Sequence, residues 1–345
     1  MAPVSPPDDP FSKEGLERLF SSLNAASGIL AAVSGGPDSM ALMHGLARWA
    51  AIGQRPPIHV ATIDHGLRPE AAEEAAFVAR EAALLSLPHR TLSWTGQKPM
   101  AGIQEAARKA RYRLLVDHAR EVGASHLVTA HTLDDQAETV MMRLSRASGL
   151  SGLAGMRRDT ERQGLRHVRP LLGLPKSHLL DQCRRNGWHF VTDPSNVDER
   201  YARVRWRKLM PLLAAEGLTA ERLARFAQRA AQADEALDLK AREVLDRAEP
   251  VFESGTLSFQ ATALTAEPFE IALRVLELAL MRAGLDLDNS RLHRLESCTE
   301  RLRQAAGAGE ALSLTIAGAH LRLTQSPAQA GRVFVGPEPP RHRGR

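Results

Sequence analysis

A chain of 345 residues exceeds the usual domain of about 100–200 residues, so two domains joined by a linker are expected, and a hydrophobic content of 43% excludes global disorder. Aromatic residues reach only 4%, which argues against base stacking on aromatic platforms, while two cysteines without C-x-x-C spacing exclude a disulfide framework and a structural zinc site. The net charge of +5, carried mainly by arginine, favours a polyanionic partner; the lack of a leader pattern and of any apolar run near the ~20 residues of a membrane span predicts a cytoplasmic protein with no membrane partner.

The opening MAPVSPPDDP belongs to an N-terminal extension over residues 1–27. From residue 28 onward short apolar runs alternate with longer amphipathic stretches. Strands are predicted over 29–33, 58–64, 89–94 and 126–130, and helices over 39–51, 70–85 with Pro69 in the first turn, and 103–121. Such alternation predicts repeated βαβ units and an α/β fold with a doubly wound, mostly parallel sheet. Sheets of this kind take ligands at the carboxyl ends of their strands, which directs attention to the residues after Val33, Ile63 and Ala130.

The first strand runs into SGGPDS and then an apolar helix. That order places backbone N–H groups and a helix N-terminus where an anion would sit. Gly35 and Gly36 allow close backbone approach, Ser34 and Ser39 add hydroxyls, and Pro37 opens the helix at a position with no intrahelical N–H bond to lose. A carboxylate at Asp38 would repel phosphate unless a divalent cation bridges them, so Asp38 is the candidate metal ligand. A bare S-G-G triplet reads as a turn and helix cap; the whole string between a buried strand and an apolar helix favours phosphate binding. It lacks the Gly-Lys-Ser/Thr of a Walker loop and the G-x-G-x-x-G of a dinucleotide fold, which disfavours kinase-like and dehydrogenase functions.

After the second strand, Asp64, His65 and Arg68 precede Pro69, an arrangement that a capped helix entrance explains by itself. EAARKARYRLL sets Arg108, Arg111 and Tyr112 on the helix over 103–121, where they also read as part of a solvated basic face. After the fourth strand, HTLDDQAET places His131, Asp134, Asp135 and Glu138 in a loop and its first helical turns, with Asp134 and Glu138 four apart on one face. One acid there complements the helix dipole; a cluster at the mouth of the sheet suits Mg²⁺ or an ammonium group. Beyond Gly149, LRHVRPLLGLPKSHLLDQCRRNGWHF reads as strand, turn and helix, and DPSNVDERYARVRWRKLMPLL brings Asp193, Asn196, Arg203 and Arg207. Pro211 and Gly217 mark the end of a catalytic domain over 28–216. A second, mainly helical α+β domain is predicted over 217–336, with helices over 219–247, 268–283 and 289–304, strands in ALSLTIAG, AHLRLTQ and GRVFVG, and a basic tail over 337–345.

SGGPDS resembles the SGGxDS signature of the PP-loop pyrophosphatases, whose fold is adenine nucleotide alpha hydrolase-like and which split ATP into AMP and pyrophosphate. HTLDDQAET, with the trailing GLSGLAGM, resembles the HxxDDQxET region of the tRNA(Ile)-lysidine synthases, and EAARKARY and DPSN with the arginines after it are similar to further motifs of that family. The resemblance spans residues 28–216, with Val204 standing where the family often carries Asn. It implies ATP and L-lysine as co-substrates, Mg²⁺ as the metal, and a tRNA(Ile) with a CAU anticodon as partner. It also implies ATP binding by Ser34, Gly35, Gly36, Pro37, Asp38, Ser39, Asp64 and His131, with the metal at Asp38. Lysine recognition falls to Asp135 and Glu138, and catalysis to Asp38, Arg108, Arg111, Asp135, Arg203 and Arg207. The C-terminal domain would contact tRNA, and a homodimer is compatible with the sequence. Two alternatives stay open: tRNA thiolation on the same ATP chemistry, disfavoured because Cys183 and Cys298 form no pair, and a non-catalytic nucleotide-binding module.

Overall fold

The computed structural model describes residues 9–66, 70–96, 98–99, 102–192, 200, 202–285, 292–316, 318–326 and 329–338. Arg68, Pro69, Asp193, Asn196, the start of the helix predicted from 289 and most of the basic tail lie outside the described residues. The chain divides into two compact units, Met1–Ala231 and Gln232–Arg345.

In the first unit the predicted strands form as β1 (Ile29–Ala32), β2 (Ile58–Asp64), β3 (His89–Ser93) and β4 (His126–Thr129), all parallel. Two more, β5 (Asp159–Arg162) and β6 (Leu165–Val168), complete a sheet in the order β3-β2-β1-β4-β6-β5, in which only β5 runs antiparallel. The helices are α1 (Lys13–Leu19), α2 (Pro37–Ile52), α3 (Glu70–Leu84), α4 (Ile103–Glu121), α5 (Leu133–Leu144), α6 (Leu150–Leu153), α7 (Lys176–Asn186) and α8 (Ala202–Ala215). Side chains alternate along the first strand. Ile29, Ala31 and Val33 pack with residues of α1, α2, α3 and α7, whereas Leu30 and Ala32 pack with Tyr112, Leu115, Val116 and Ala119 of α4. Cover on both faces buries every residue of β1, which is why ILAA is an unbroken apolar run. Strand order reverses between β1 and β4, and the crevice at that switch point opens at their carboxyl ends.

Residues 9–27 are more than an extension. Ser12 caps α1 by accepting the Gly15 N–H at 3.0 Å, and Phe11, Leu16, Leu19, Phe20 and Leu23 enter the main core. A seven-residue helix after a proline-rich start is too short to show helical periodicity. The boundary also moves. Pro211 lies inside α8 rather than ending it, and α9 (Ala220–Arg247) sends Leu223 and Ala227 against Ala137, Val140 and Met141 of α5, so the first unit continues to Ala231.

The second unit contains β7 (Val251–Glu253), β8 (Thr256–Gln260), α10 (Thr262–Thr265), α11 (Phe269–Arg282), α12 (Leu292–Ala308), β9 (Leu312–Ile316), β10 (Ala319–Ser326) and β11 (Gln329–Pro337). Its antiparallel sheet runs β7-β8-β11-β10-β9, around a core in which Phe259, Leu276, Leu302 and Val335 have no exposure. The α-then-β order expected from sequence omits the β7–β8 hairpin. Its signal is the Ser254-Gly255 pair, with φ of 49° and 77°, which supplies the two positive φ values of a tight hairpin turn.

Two outcomes test this packing. Phe20→Ala, which empties a fully buried aromatic site, should cost about 3–5 kcal/mol in denaturant unfolding; a loss below about 1 kcal/mol would return residues 9–27 to the status of an extension. His44 on α2 stacks on Trp188, with ring centroids 4.6 Å apart and planes 3° apart, and burial, followed by the Arg48 charge, pushes its pKa down to about 4. The folded value lies below the unfolded one near 6.5, so its contribution is complete above that pH and is lost as pH falls towards 4. At roughly 1.4 kcal/mol per pKa unit this amounts to about 3 kcal/mol. Thermal unfolding from pH 7 to 4.5 should therefore show a falling midpoint, and His44→Phe should flatten part of the fall.

Candidate active site

At the end of β1 the chain turns through Ser34, Gly35 and Gly36 into α2. Gly35 has φ of 88°, and a Cβ there would stand 3.0 Å from Val191 Cγ2, so conformation and space both require glycine. Its carbonyl accepts the Val191 N–H at 2.8 Å. The buried Ser39 hydroxyl donates to the Gly36 carbonyl at 2.9 Å and accepts the Ser34 N–H at 3.2 Å, which makes it a brace of the loop, while Ser34 itself is exposed. Pro37 is the first residue of α2, and the first-turn N–H groups have no intrahelical acceptor. The loop therefore presents donors and the positive end of a helix dipole to the crevice.

Three helices begin at this edge, α2 with Asp38, α5 with Asp134 and Asp135, and α7 with Lys176. Lys176 Nζ lies 2.8 Å from Asp38 Oδ2, and the Lys176 backbone N–H donates to Asp134 Oδ2 at 2.7 Å. Asp135 Oδ2 accepts the Thr132 N–H and the Thr132 hydroxyl, each at 3.0 Å, closing a capping box on α5. Burial raises the Asp38 pKa against the opposing pull of Lys176. Burial acts upward on Asp135 too, but the Thr132 N–H and the Lys176 charge outweigh it and its pKa falls.

Asp38 Oδ1 is buried and has no hydrogen-bond partner among the described residues. Those residues contain no cluster of three or more His, Cys, Asp or Glu able to hold a metal alone. Mg²⁺ characteristically takes one or two carboxylates and completes its shell with substrate phosphates and water. An orphaned Asp38 oxygen beside a phosphate-binding loop fits that pattern.

Glu138 lies one turn further along α5 and is 2% exposed. Arg207 Nε reaches its Oε1 at 2.9 Å and Arg203 Nε stands 3.5 Å from its Oε2, because the two arginines are four apart on α8 and share a face. Burial raises the Glu138 pKa, with Arg207 opposing. Val204 between them is buried as an ordinary apolar residue. On α4, the Arg111 Nε is buried without a partner among the described residues and burial lowers its pKa, while the exposed Arg108 lies 5.3 Å from the Tyr112 ring centroid. A cavity of about 360 Å³ opens beside Glu138, with Asp134, Lys176 and Arg207 at its polar wall and Met210, Pro211 and Ala214 at its apolar one. Its lining suits an aliphatic chain with charged ends.

His131 follows β4. Its Nδ1 lies 2.8 Å from the Thr129 hydroxyl, which is also 2.9 Å from His167 Nε2 on β6, and Arg169 Nη2 lies 3.0 Å from His167 Nδ1. Burial pushes His131 to about 3 and His167 to about 2, so both rings are neutral at physiological pH. Asp64 Oδ1 accepts the Gly66 N–H at 2.7 Å in a local turn, and among the described residues no hydrogen bond joins Asp64 to this group.

Sequence reasoning overlooked Lys176, Thr129, His167 and Arg169. Lys176 had a signal, since a cation opening a helix opposes the dipole. The other three had none, because pairing of β6 with β4 is what brings them together.

The PP-loop domain family matches residues 10–213. The chain is 51% identical to the tRNA(Ile)-lysidine synthase of Methylobacterium nodulans over 93% of both chains, and 49% identical to that of Rhodopseudomonas palustris over 95% of both. Among solved structures, a U34-tRNA thiolase from Methanococcus maripaludis superposes with a TM-score of 0.54 at 15% identity, covering 64% of this chain and 80% of that one, a likeness of fold alone. With a glycine loop, a capped acid cluster and paired arginines gathered at one switch point, and with identity extending through both units, the chain belongs to the tRNA(Ile)-lysidine synthase family.

Proposed function

We propose that this chain, acting in the cytoplasm, ligates the side-chain amine of L-lysine to carbon 2 of the wobble cytidine in a CAU-anticodon tRNA(Ile), converting ATP to AMP and pyrophosphate. The observation that carries the reading is the meeting of a phosphate-type loop with a buried glutamate, half-buried aspartates and arginines in one crevice. In the first step the cytosine O2 attacks the α phosphorus of ATP, the bond to the bridging oxygen breaks, and pyrophosphate leaves. N–H groups of the glycine loop and the first turn of α2 receive the charge that grows on the leaving group. Mg²⁺ held at Asp38 would neutralise phosphate charge as a Lewis acid. Lys176 then exchanges Asp38 for phosphate oxygens, and Arg108, Arg111, Arg203 and Arg207 steady the adenylated base and the phosphates beside it.

In the second step the lysine amine attacks carbon 2, the bond from carbon 2 to the adenylate oxygen breaks, and AMP departs. Only the neutral amine is a nucleophile, so an acceptor must take its proton. Glu138 serves as that acceptor, because burial makes it the more basic carboxylate, while Asp135, kept ionised by Thr132, anchors an ammonium group. Sulfur transfer is disfavoured by the cysteines themselves: Cys183 is buried, donates to the Pro37 carbonyl at 3.4 Å, and has its thiol pushed up to about 11 by burial.

Asp38→Asn should lower tRNA-dependent pyrophosphate release by about 10²-fold or more while the protein stays folded by circular dichroism; retained release would remove Asp38 from the metal role. Glu138→Gln should let adenylated tRNA accumulate while lysidine formation drops about 10²-fold, read by mass spectrometry of tRNA after reaction with labelled lysine. Loss of both steps in equal measure would deny Glu138 the part of proton acceptor.

A further inference from the structure

Arg169, His167, Thr129 and His131 form a continuous chain of polar contacts running from the interior to the crevice, and the direction of each hydrogen bond follows from chemistry. A guanidinium has donors only, so Arg169 Nη2 donates to His167 Nδ1 across 3.0 Å. With its Nδ1 accepting, His167 carries its proton on Nε2 and donates to the Thr129 hydroxyl oxygen at 2.9 Å. Thr129 is 1% exposed, and its own O–H is satisfied by donating to His131 Nδ1 at 2.8 Å; the reverse arrangement would leave a buried O–H without an acceptor among these contacts. His131 must then hold its proton on Nε2.

We propose that Thr129, His167 and Arg169 are positioning residues that lock His131 in the Nε2–H tautomer, so that it meets the reacting group as a neutral hydrogen-bond donor to a phosphoryl or carbonyl oxygen and not as a base. The role of His131 at that group rests on the function proposed above; the tautomer itself does not. Arg169 is held for this task, since its Nη1 donates to the Arg157 carbonyl at 2.8 Å and to the Thr160 hydroxyl of β5 at 3.3 Å. Asp135 of α5, Arg111 of α4, Arg203 of α8 and Arg169 after β6 are the charged neighbours of His131, and Asp135 opposes the three arginines. Burial and the Arg169 charge keep His167 neutral, as the first link requires.

The test uses full-length protein labelled with ¹⁵N at histidine and long-range ¹H–¹⁵N correlation, with His131 signals identified by their loss in His131→Asn. Wild type should show His131 with a bare Nδ1 and a protonated Nε2. Thr129→Val, similar in size and without a hydroxyl, should give mixed tautomers and lower kcat about tenfold, with KM for ATP within about twofold. Thr129→Ser should restore both. His167→Phe should mix the tautomers while Thr129 is intact. A protonated Nδ1 in wild type overturns the proposal, as does a Thr129→Val protein that loses turnover with its tautomer unchanged. Should the wild-type enzyme form no lysidine, the proposed function fails while the tautomer measurement still decides the relay.

Discussion

Helix N-termini carry positive partial charge, so gathering three of them at one edge of a sheet is unfavourable unless negative groups come with them. The starts of α2, α5 and α7 meet this constraint by capping across elements. Asp134 of α5 accepts the N–H that opens α7, Asp135 closes the cap of its own helix, and Asp38 of α2 pairs with Lys176 of α7. An acid on one helix thus satisfies a donor or charge on another, and no one of the three can shift without breaking a contact to its neighbour. Among the described residues, Asp38 Oδ1 is a buried carboxylate oxygen of this scheme without a hydrogen-bond partner.

Partners, more than residue type, divide the chemical roles. Asp135 and Glu138 are both carboxylates close together on α5, and burial raises the pKa of each. Thr132 and Lys176 reverse the effect at Asp135, whereas at Glu138 Arg207 only reduces it, so one acid is suited to hold positive charge and the other to accept a proton. The second unit solves its own problem separately. Arg274, 5% exposed, pairs with Asp234 at 2.9 Å and Glu270 at 2.8 Å and also with Asp238, which compensates a buried cation far from any glycine loop in the sequence.

Much of the fold and the crevice was legible in the chain. Unbroken apolar strands, alternating amphipathic helices and the glycine string SGGPDS announced a parallel sheet with a glycine turn into a helix after β1, since local periodicity and φ requirements act over a few neighbouring residues. The cluster in HTLDDQAET was legible for the same reason: spacing alone puts its acids on the opening of one helix. Short elements were not. The seven residues of α1 and the three of β7 are below the length at which periodicity speaks, and their places come from the cores they enter or the turn that pairs them.

What the sequence determined by itself was therefore the class of fold, the loop and the kinds of charge near it, all of which follow from residues close together in the chain. Only the tertiary structure decided which charges meet: Lys176 with Asp38, Arg203 and Arg207 with Glu138, and His167 with His131 through Thr129. Those pairings depend on strand order and helix placement, and burial, which sets whether a carboxylate holds or gives up its proton, exists only once distant segments have excluded water together.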